Sequence, residues 1–209
     1  MDVYVLNKNL VPIGLIDTYK SLIWAKRYRE IGDCELYLPA TGDNIALLAE
    51  GNYLARLDDD MICRIKKVEL DTSPENGDYL IITGYDTKDM LDQRIIWGTA
   101  NCKGSVEDFI RTQIRIAAID TGKRQFKKAD GTQLLYLAAK RNFAEKAEEQ
   151  VSYKNIGEKV RELCKKYGWG YRLYLNSFVL NFDLYKGTDR SGTVIFSPDY
   201  ENLAETKYI

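Results

Sequence analysis

Asp120, Thr121 and Gly122 follow an apolar run at residues 116–119, and an Asp-Thr-Gly triplet behind an apolar stretch is how aspartic peptidases hold a catalytic carboxylate. Two such carboxylates would share one proton, and the ionised member would draw a proton from the attacking water. That chemistry needs the triplet at the end of a buried strand. Here the preceding apolar residues recur with helical spacing, and Lys123 and Arg124 follow, so the triplet reads as a turn that closes a helix. An aspartic-type peptidase at Asp120, Thr121 and Gly122 is kept only as an alternative.

Three other groups could do chemistry. Asp58, Asp59 and Asp60 are adjacent carboxylates, but adjacent residues on a turn point in different directions, and calcium needs six to eight spaced oxygens. A solvated hairpin tip accounts for them. Glu145, Glu148 and Glu149 resemble the charged face of a helix over residues 143–150, with no second carboxylate at glycosidase separation. The stretch 123–166 is basic (Lys123, Arg124, Lys127, Lys128, Lys140, Arg141, Lys159, Arg161, Lys165, Lys166), with Phe126, Phe143, Tyr153 and Tyr167 between the charges. Cations for counterion release and rings for base stacking suit an oligonucleotide-binding barrel module, the second alternative. The interspersed glutamates and near-neutral total favour a protein interface instead, and nucleic acid is not expected as a partner.

The remaining composition removes whole classes. The 209 residues contain no His, so Ser/His/Asp and Cys/His nucleophiles and His-ligated metals are excluded. Cys34, Cys63, Cys102 and Cys164 lie far apart without a Cys-x-x-Cys, which speaks against zinc, and a chain this long needs no disulfide staple. No glycine-rich phosphate loop occurs. No catalytic, cofactor-binding or metal-binding residue is therefore assigned. The longest aliphatic run, at residues 116–119, falls far short of the ~20 residues of a membrane span. Met1 and Asp2 lead directly into a strand-like run, so no secretory leader is expected and the chain is expected in a cytoplasm. Residues 1–100 carry 11 Lys/Arg against 17 Asp/Glu, a balance of −6, whereas residues 101–209 carry 19 against 14, a balance of +5. Such a dipolar chain favours head-to-tail contact between copies.

The elements that must carry these residues change character near Trp97. Before it, alternation and turn residues predict strands at 2–6, 11–16, 21–30, 34–38, 53–57, 61–70 and 79–85, with a short helix at 44–50. This antiparallel meander could close into a barrel. After it, Ser105 with Asp108 marks the start of a helix ending near Ile119, residues 120–133 read as a loop, and Asn155 caps a helix that ends at Gly168. A hairpin at 171–175 and 178–184 and a last strand at 193–196 complete a β-rich α+β chain.

The order of several stretches resembles the siphovirus Gp37-like tail proteins. They are Ile31-Gly32-Asp33-Cys34-Glu35-Leu36, Ile82-Thr83-Gly84-Tyr85-Asp86 running into Met90-Leu91-Asp92-Gln93-Arg94, and Val194-Ile195-Phe196-Ser197-Pro198-Asp199-Tyr200-Glu201-Asn202-Leu203. The resemblance covers most of the chain and implies a virion structural protein, a baseplate hub or tail-tip component acting in tail assembly and host attachment. It implies a barrel-like hub domain (1–97 with 193–209), an inserted α/β domain (98–192), a homotrimer, and contacts with tail tube, distal tail or tape-measure proteins. Assembly in the bacterial host cytoplasm into the virion follows. It brings no catalytic residues and no cofactor. Family members are usually longer, so more chain completing a second barrel is expected after Ile209.

Overall fold

The computed structural model describes residues 2–56, 59–73, 77–120, 122, 124–197 and 200. Its first half is one antiparallel sheet of seven strands: β1 (Val3–Leu6), β2 (Pro12–Ile16), β3 (Ser21–Ala25), β4 (Asp33–Pro39), β5 (Tyr53–Arg56), β6 (Met61–Ser73) and β7 (Gly77–Asp86). The spatial order is β2-β1-β5-β6-β7-β4-β3. The sheet is open among the described residues: β2 has only β1 beside it and β3 only β4, so the expected barrel does not close. The β1–β2 turn is made by Asn7, whose Oδ1 accepts the amides of Asn9 and Val11 at 2.8 and 3.1 Å.

Side-chain alternation sends the two faces of this sheet into different cores. On one face Val3, Val5, Leu36, Leu38, Leu54, Ile65 and Ile82 pack together, capped by Leu48 behind α1 (Gly42–Leu47). On the other, Leu6, Tyr53, Ala55 and Ile62 pack against the second half of the chain. Strand β5 is buried on both sides, which is why Tyr53, Leu54 and Ala55 are consecutive apolar residues rather than an alternating set.

The second half opens with a 3-10 segment (Thr87–Gln93) capped by Asp86, whose carboxylate accepts the Lys88 amide at 2.6 Å. Strand β8 (Thr99–Ser105) leads into α2 (Val106–Ile114), which continues as a π-helical turn (Arg115–Ile119). As the sequence indicates, Ser105 Oγ accepts the Asp108 amide and Asn155 Oδ1 accepts that of Glu158, fixing the starts of α2 and of α3 (Ile156–Tyr167). Strands β9 (Leu135–Leu137), β11 (Trp169–Asn176) and β12 (Val179–Lys186) form a small sheet in which β9 runs parallel to β12. Trp169, Tyr171 and Phe182 are its fully buried anchors.

Several local expectations need correcting. The helix expected over residues 143–150 is instead β10 (Lys146–Ser152), paired antiparallel with β8, the two forming a separate two-stranded sheet. Ala147 and Val151 turn inward while Lys146, Glu148 and Gln150 face water, and the buried Glu107 carboxylate accepts the amides of Arg141 and Phe143, holding the approach extended. Strand β3 ends at Ala25 rather than near Glu30, because buried Lys88 donates to the carbonyls of Arg27 and Glu30 and draws that segment off the sheet edge. The short helix begins earlier, at Gly42, capped by Thr41. The final strand expected at 193–196 is not formed: the amides of Thr193 and Val194 both donate to the Arg190 carbonyl in a turn.

Cys34 and Cys63 form a disulfide where none was required by the sequence. They lie on β4 and β6, either side of β7, and Gly84 of β7 sits beneath the bridge, where a Cβ would collide with Cys63 Sγ.

Candidate assembly surface

The strongest surface features are the two ends of the large sheet. Among the described residues strand β2 is an edge, with one side of its backbone carrying no ladder; Ile13 and Leu15 on it, and Val11 just before it, are 42, 46 and 47% exposed, and a bulge opposite Val5 and Leu6 interrupts the alternation at Ile13. Ile16, at 4%, anchors the strand to the core. Exposed aliphatic side chains beside unpaired backbone groups are a template for adding another strand. The opposite edge, β3, exposes Ile23, with Leu22 and Trp24 packing inward against the sheet core.

The β3 edge is held firmly. Lys88, almost wholly buried, bonds the carbonyls of Arg27 and Glu30 at 2.7 and 2.6 Å and pairs with Asp86 at 3.1 Å, so all three ammonium protons are used. Tyr28 accepts the Gly187 amide at 2.7 Å and stacks edge-on with Tyr185, and Arg29 donates to the Trp169 carbonyl at 3.0 Å. Burial raises the Asp86 carboxyl above its ordinary range, with Lys88 pulling the other way. These contacts tie the β3–β4 connection to the β11–β12 hairpin.

The residues singled out in the sequence are dispersed. Asp120 is exposed at the end of the π-helical turn, its amide bonded to the Arg115 carbonyl at 2.7 Å, and Thr121 lies outside the described residues. Asp59 pairs with Lys26 and Asp60 with Arg172, while Asp58 lies outside the described residues. Among the described residues no cluster of three potential metal ligands occurs. Glu145 binds Lys186 and Glu149 binds Lys159, whereas Glu148 is exposed on β10.

The basic stretch splits in two. Lys140, Arg141, Lys159 and Arg161 are neutralised by Asp108, Asp183, Glu149 with Glu162, and Asp92 respectively. Arg124, Lys127 and Lys128 instead line clefts beside the 3-10 segment, and Lys123 lies outside the described residues. Most of the interleaved rings are core: Phe126 is buried, and Phe143 and Tyr167 pack on Trp169 with centroids 4.6 and 5.6 Å away. Tyr153 is exposed, edge-on to Trp97 at 5.9 Å. Sequence reasoning passed over Trp97, at 74% exposure, and the apolar residues at the β2 edge, although the i, i+2 spacing of Val11, Ile13 and Leu15 was a visible signal.

The fold is that of known tail proteins. Prophage tail protein gp18 from Listeria monocytogenes EGD-e superposes with a TM-score of 0.59 at 14% identity, over 87% of this chain and 50% of that one. The tail protein from Neisseria meningitidis MC58 gives 0.55 at 13% identity, over 86% and 49%. The 43 kDa tail protein of prophage MuSo2 from Shewanella oneidensis gives 0.53 at 9% identity, over 90% and 56%. The chain thus spans about half the length of these solved tail proteins. No curated protein sequence matches it. The family model described as Siphovirus ReqiPepy6 Gp37-like protein matches residues 2–209, and the chain belongs to that family of phage tail proteins.

Proposed function

We propose that this chain is a non-enzymatic building block of the tail tip, a baseplate-hub component that assembles with copies of itself and with neighbouring tail proteins during tail assembly and serves host attachment. The observation that carries the reading is the pair of edges open among the described residues of one sheet, β2 with exposed Ile13 and Leu15 and with Val11 just before it, and β3 with exposed Ile23. Joining β2 of one copy to β3 of the next is a heterologous contact, which generates a ring when the rotation closes. Three copies would then build a barrel-like wall from successive sheets. Residues 1–97 with 193–209 would form the ring domain, and 98–192 would stand outside it as the α/β insertion. Tail tube, distal tail or tape-measure proteins would meet the rims of the ring, assembly would take place in the host cytoplasm, and the product would reside in the virion. Family membership and the tail-protein fold support this reading.

Sedimentation velocity of the wild type and of Ile13→Lys tests it. The wild type is expected as a closed oligomer of three, and Ile13→Lys as a monomer with unchanged circular dichroism. A wild type that stays monomeric at every concentration, alone and mixed with tail tube protein, overturns the proposal.

A further inference from the structure

Away from the sheet edges, two clefts of about 390 and 430 Å³ meet at Gln93. Their rim is cationic. Lys8 comes from the β1–β2 turn, Arg94 follows the 3-10 segment, and Arg124, Lys127 and Lys128 come from the loop before β9. None of the five forms an ion pair among the described residues. Arg94 donates to the Arg124 carbonyl at 2.7 Å and lies over the Phe126 ring at 3.9 Å, and Arg124 donates to the Ile95 carbonyl. Both guanidiniums are thus positioned by neutral groups and keep their charge uncompensated. The nearby Asp130 carboxylate is hydrogen-bonded to Thr132 and also feels Lys128, which forms no direct ion pair with it. The floor of the 390 Å³ cleft is apolar, with Tyr53, Met90, Phe126 and Leu134. An apolar floor under a basic rim fits an apolar knob flanked by carboxylates.

The chain carries such a knob at the other end of the same sheet. Arg64 of β6 lines the cleft, and seven residues further along that strand, roughly 23 Å at ~3.3 Å per residue, stands Asp71. There Leu70 is 61% exposed, and Asp71 and, on β7, Asp78 are exposed carboxylates. Asp71 accepts one long hydrogen bond from the Tyr37 hydroxyl, at 3.4 Å, and Glu69 is already paired with Lys67. Opposite charges at opposite ends of one hairpin cannot satisfy each other within a copy, but they can between copies.

We propose that the cleft receives the distal part of the β6–β7 hairpin of a second copy, Leu70 entering over Met90 and Phe126, with Asp78 on the same face of the hairpin and Asp71 on the opposite face, so that the two carboxylates meet the basic rim from either side, at Lys127 with Lys128 and at Arg124. The inference deepens the assembly reading above and rests on it. Donor and acceptor are different surfaces, so the contact is head-to-tail and orders copies in one direction.

The test is a charge swap read by sedimentation at about 50 and about 500 mM salt, on either side of strong screening. Wild type, Lys127→Glu with Lys128→Glu, Asp71→Lys with Asp78→Lys, and the chain carrying all four changes are compared, with circular dichroism confirming that each is folded. Salt is expected to weaken wild-type association by about tenfold or more, either double reversal to do the same at low salt, and the fourfold chain to recover it. Unchanged association in either double reversal, or no recovery in a folded fourfold chain, overturns the inference. So does a labelled oligothymidine that binds the wild type and loses binding on Lys127→Glu with Lys128→Glu while self-association persists. Copies that respond to Ile13→Lys but not to the charge reversals would remove this contact and leave the proposed function standing, whereas a wholly monomeric wild type would remove both.

Discussion

Cys34 and Cys63 are joined over the backbone of Gly84, with their Cα atoms 6.8 Å apart although a whole strand, β7, runs between β4 and β6. A bridge between next-nearest strands requires the intervening residue to have no side chain. Gly84 meets that requirement, and a Cβ there would also crowd the Arg64 carbonyl at 2.6 Å. The cross-link clamps the three strands that share the buried face of the sheet, between the edges on which assembly is proposed.

Closing a loop between residues 29 apart stabilises a chain by about 3 kcal/mol, chiefly by restricting the unfolded state. Urea unfolding is therefore expected to show a lower midpoint with reductant than without, and Cys34→Ala with Cys63→Ala is expected to match the reduced wild type. Gly84→Val should be worse than either, since it forces the bridge and the β6 backbone apart. An identical midpoint with and without reductant would show that the bridge does not form.

Asp183 is fully buried on β12 and grips two guanidiniums, Arg141 at 2.9 and 2.6 Å and Arg172 at 3.3 and 3.2 Å. Its hydrogen bonds raise the Arg141 pKa above the ordinary arginine value. Arg141 and Arg172 are 44 and 37% exposed and can turn to water, so losing Asp183 costs less than breaking a wholly buried pair, about 1–3 kcal/mol. Asp183→Ala is expected to cost that much in urea unfolding. Lys140→Ala, whose Asp108 pair is half exposed, is expected to cost less than about 1 kcal/mol. Equal losses from the two would contradict the difference in burial.

Gly157, in the first turn of α3, faces the Asp92 carboxylate so closely that a Cβ would collide with Oδ1 and lie 3.1 Å from the Asp92 amide nitrogen. Alanine gains up to about 1 kcal/mol over glycine in helix propensity, but overpacking a tight contact costs about 1–3 kcal/mol, and part of that contact is backbone. The crowding should win. Gly157→Ala is expected to lower the thermal midpoint and to disturb the paired bonds from Arg161 to Asp92, at 3.0 and 3.1 Å. A raised midpoint would mean that the helix shifts at no cost.

Lys140 holds the Asp108 carboxyl below its ordinary 3.8, and Lys186 holds that of Glu145 below 4.5, each mainly through a hydrogen bond. For an acid whose folded pKa is depressed, the stabilisation is complete above the unfolded pKa and is lost as pH falls through the folded one. Asp86 runs the other way, because burial raises its pKa and protonation relieves a cost. Thermal midpoints are therefore expected to fall below about pH 4, with Glu145→Gln lowering the midpoint at neutral pH and flattening the acid limb, and Asp86→Asn steepening it. An acid limb that Glu145→Gln leaves unchanged would refute the assignment.

Elements whose signals are local were legible before any coordinates. The starts of α2 and α3 follow from Ser105 and Asn155 three residues before their partners, and the β11–β12 hairpin from uninterrupted alternation. The stretch 143–150 reads as a helix because its spaced charges suit an exposed helix face as well as a half-buried strand, and the pairing of β10 with β8 that decides between them lies more than 40 residues away in sequence. The strand expected at 193–196 failed for a related reason: apolar composition alone does not supply a neighbour to pair with.

The same division holds for function. Composition alone removed the chemistry that depends on His, on glycine-rich phosphate loops or on closely spaced thiolates, and the ordered stretches resembling Gp37-like tail proteins pointed to the family. Tertiary structure alone decided which charges are spent and which are free. Arg141 and Lys127 read alike in the sequence, yet one is held by a buried carboxylate and the other stands on a cleft rim, because electrostatic partners are chosen by distance in space and not by separation along the chain. The open ends of the sheet were settled in the same way, since an edge exists only once every other strand has found its neighbours.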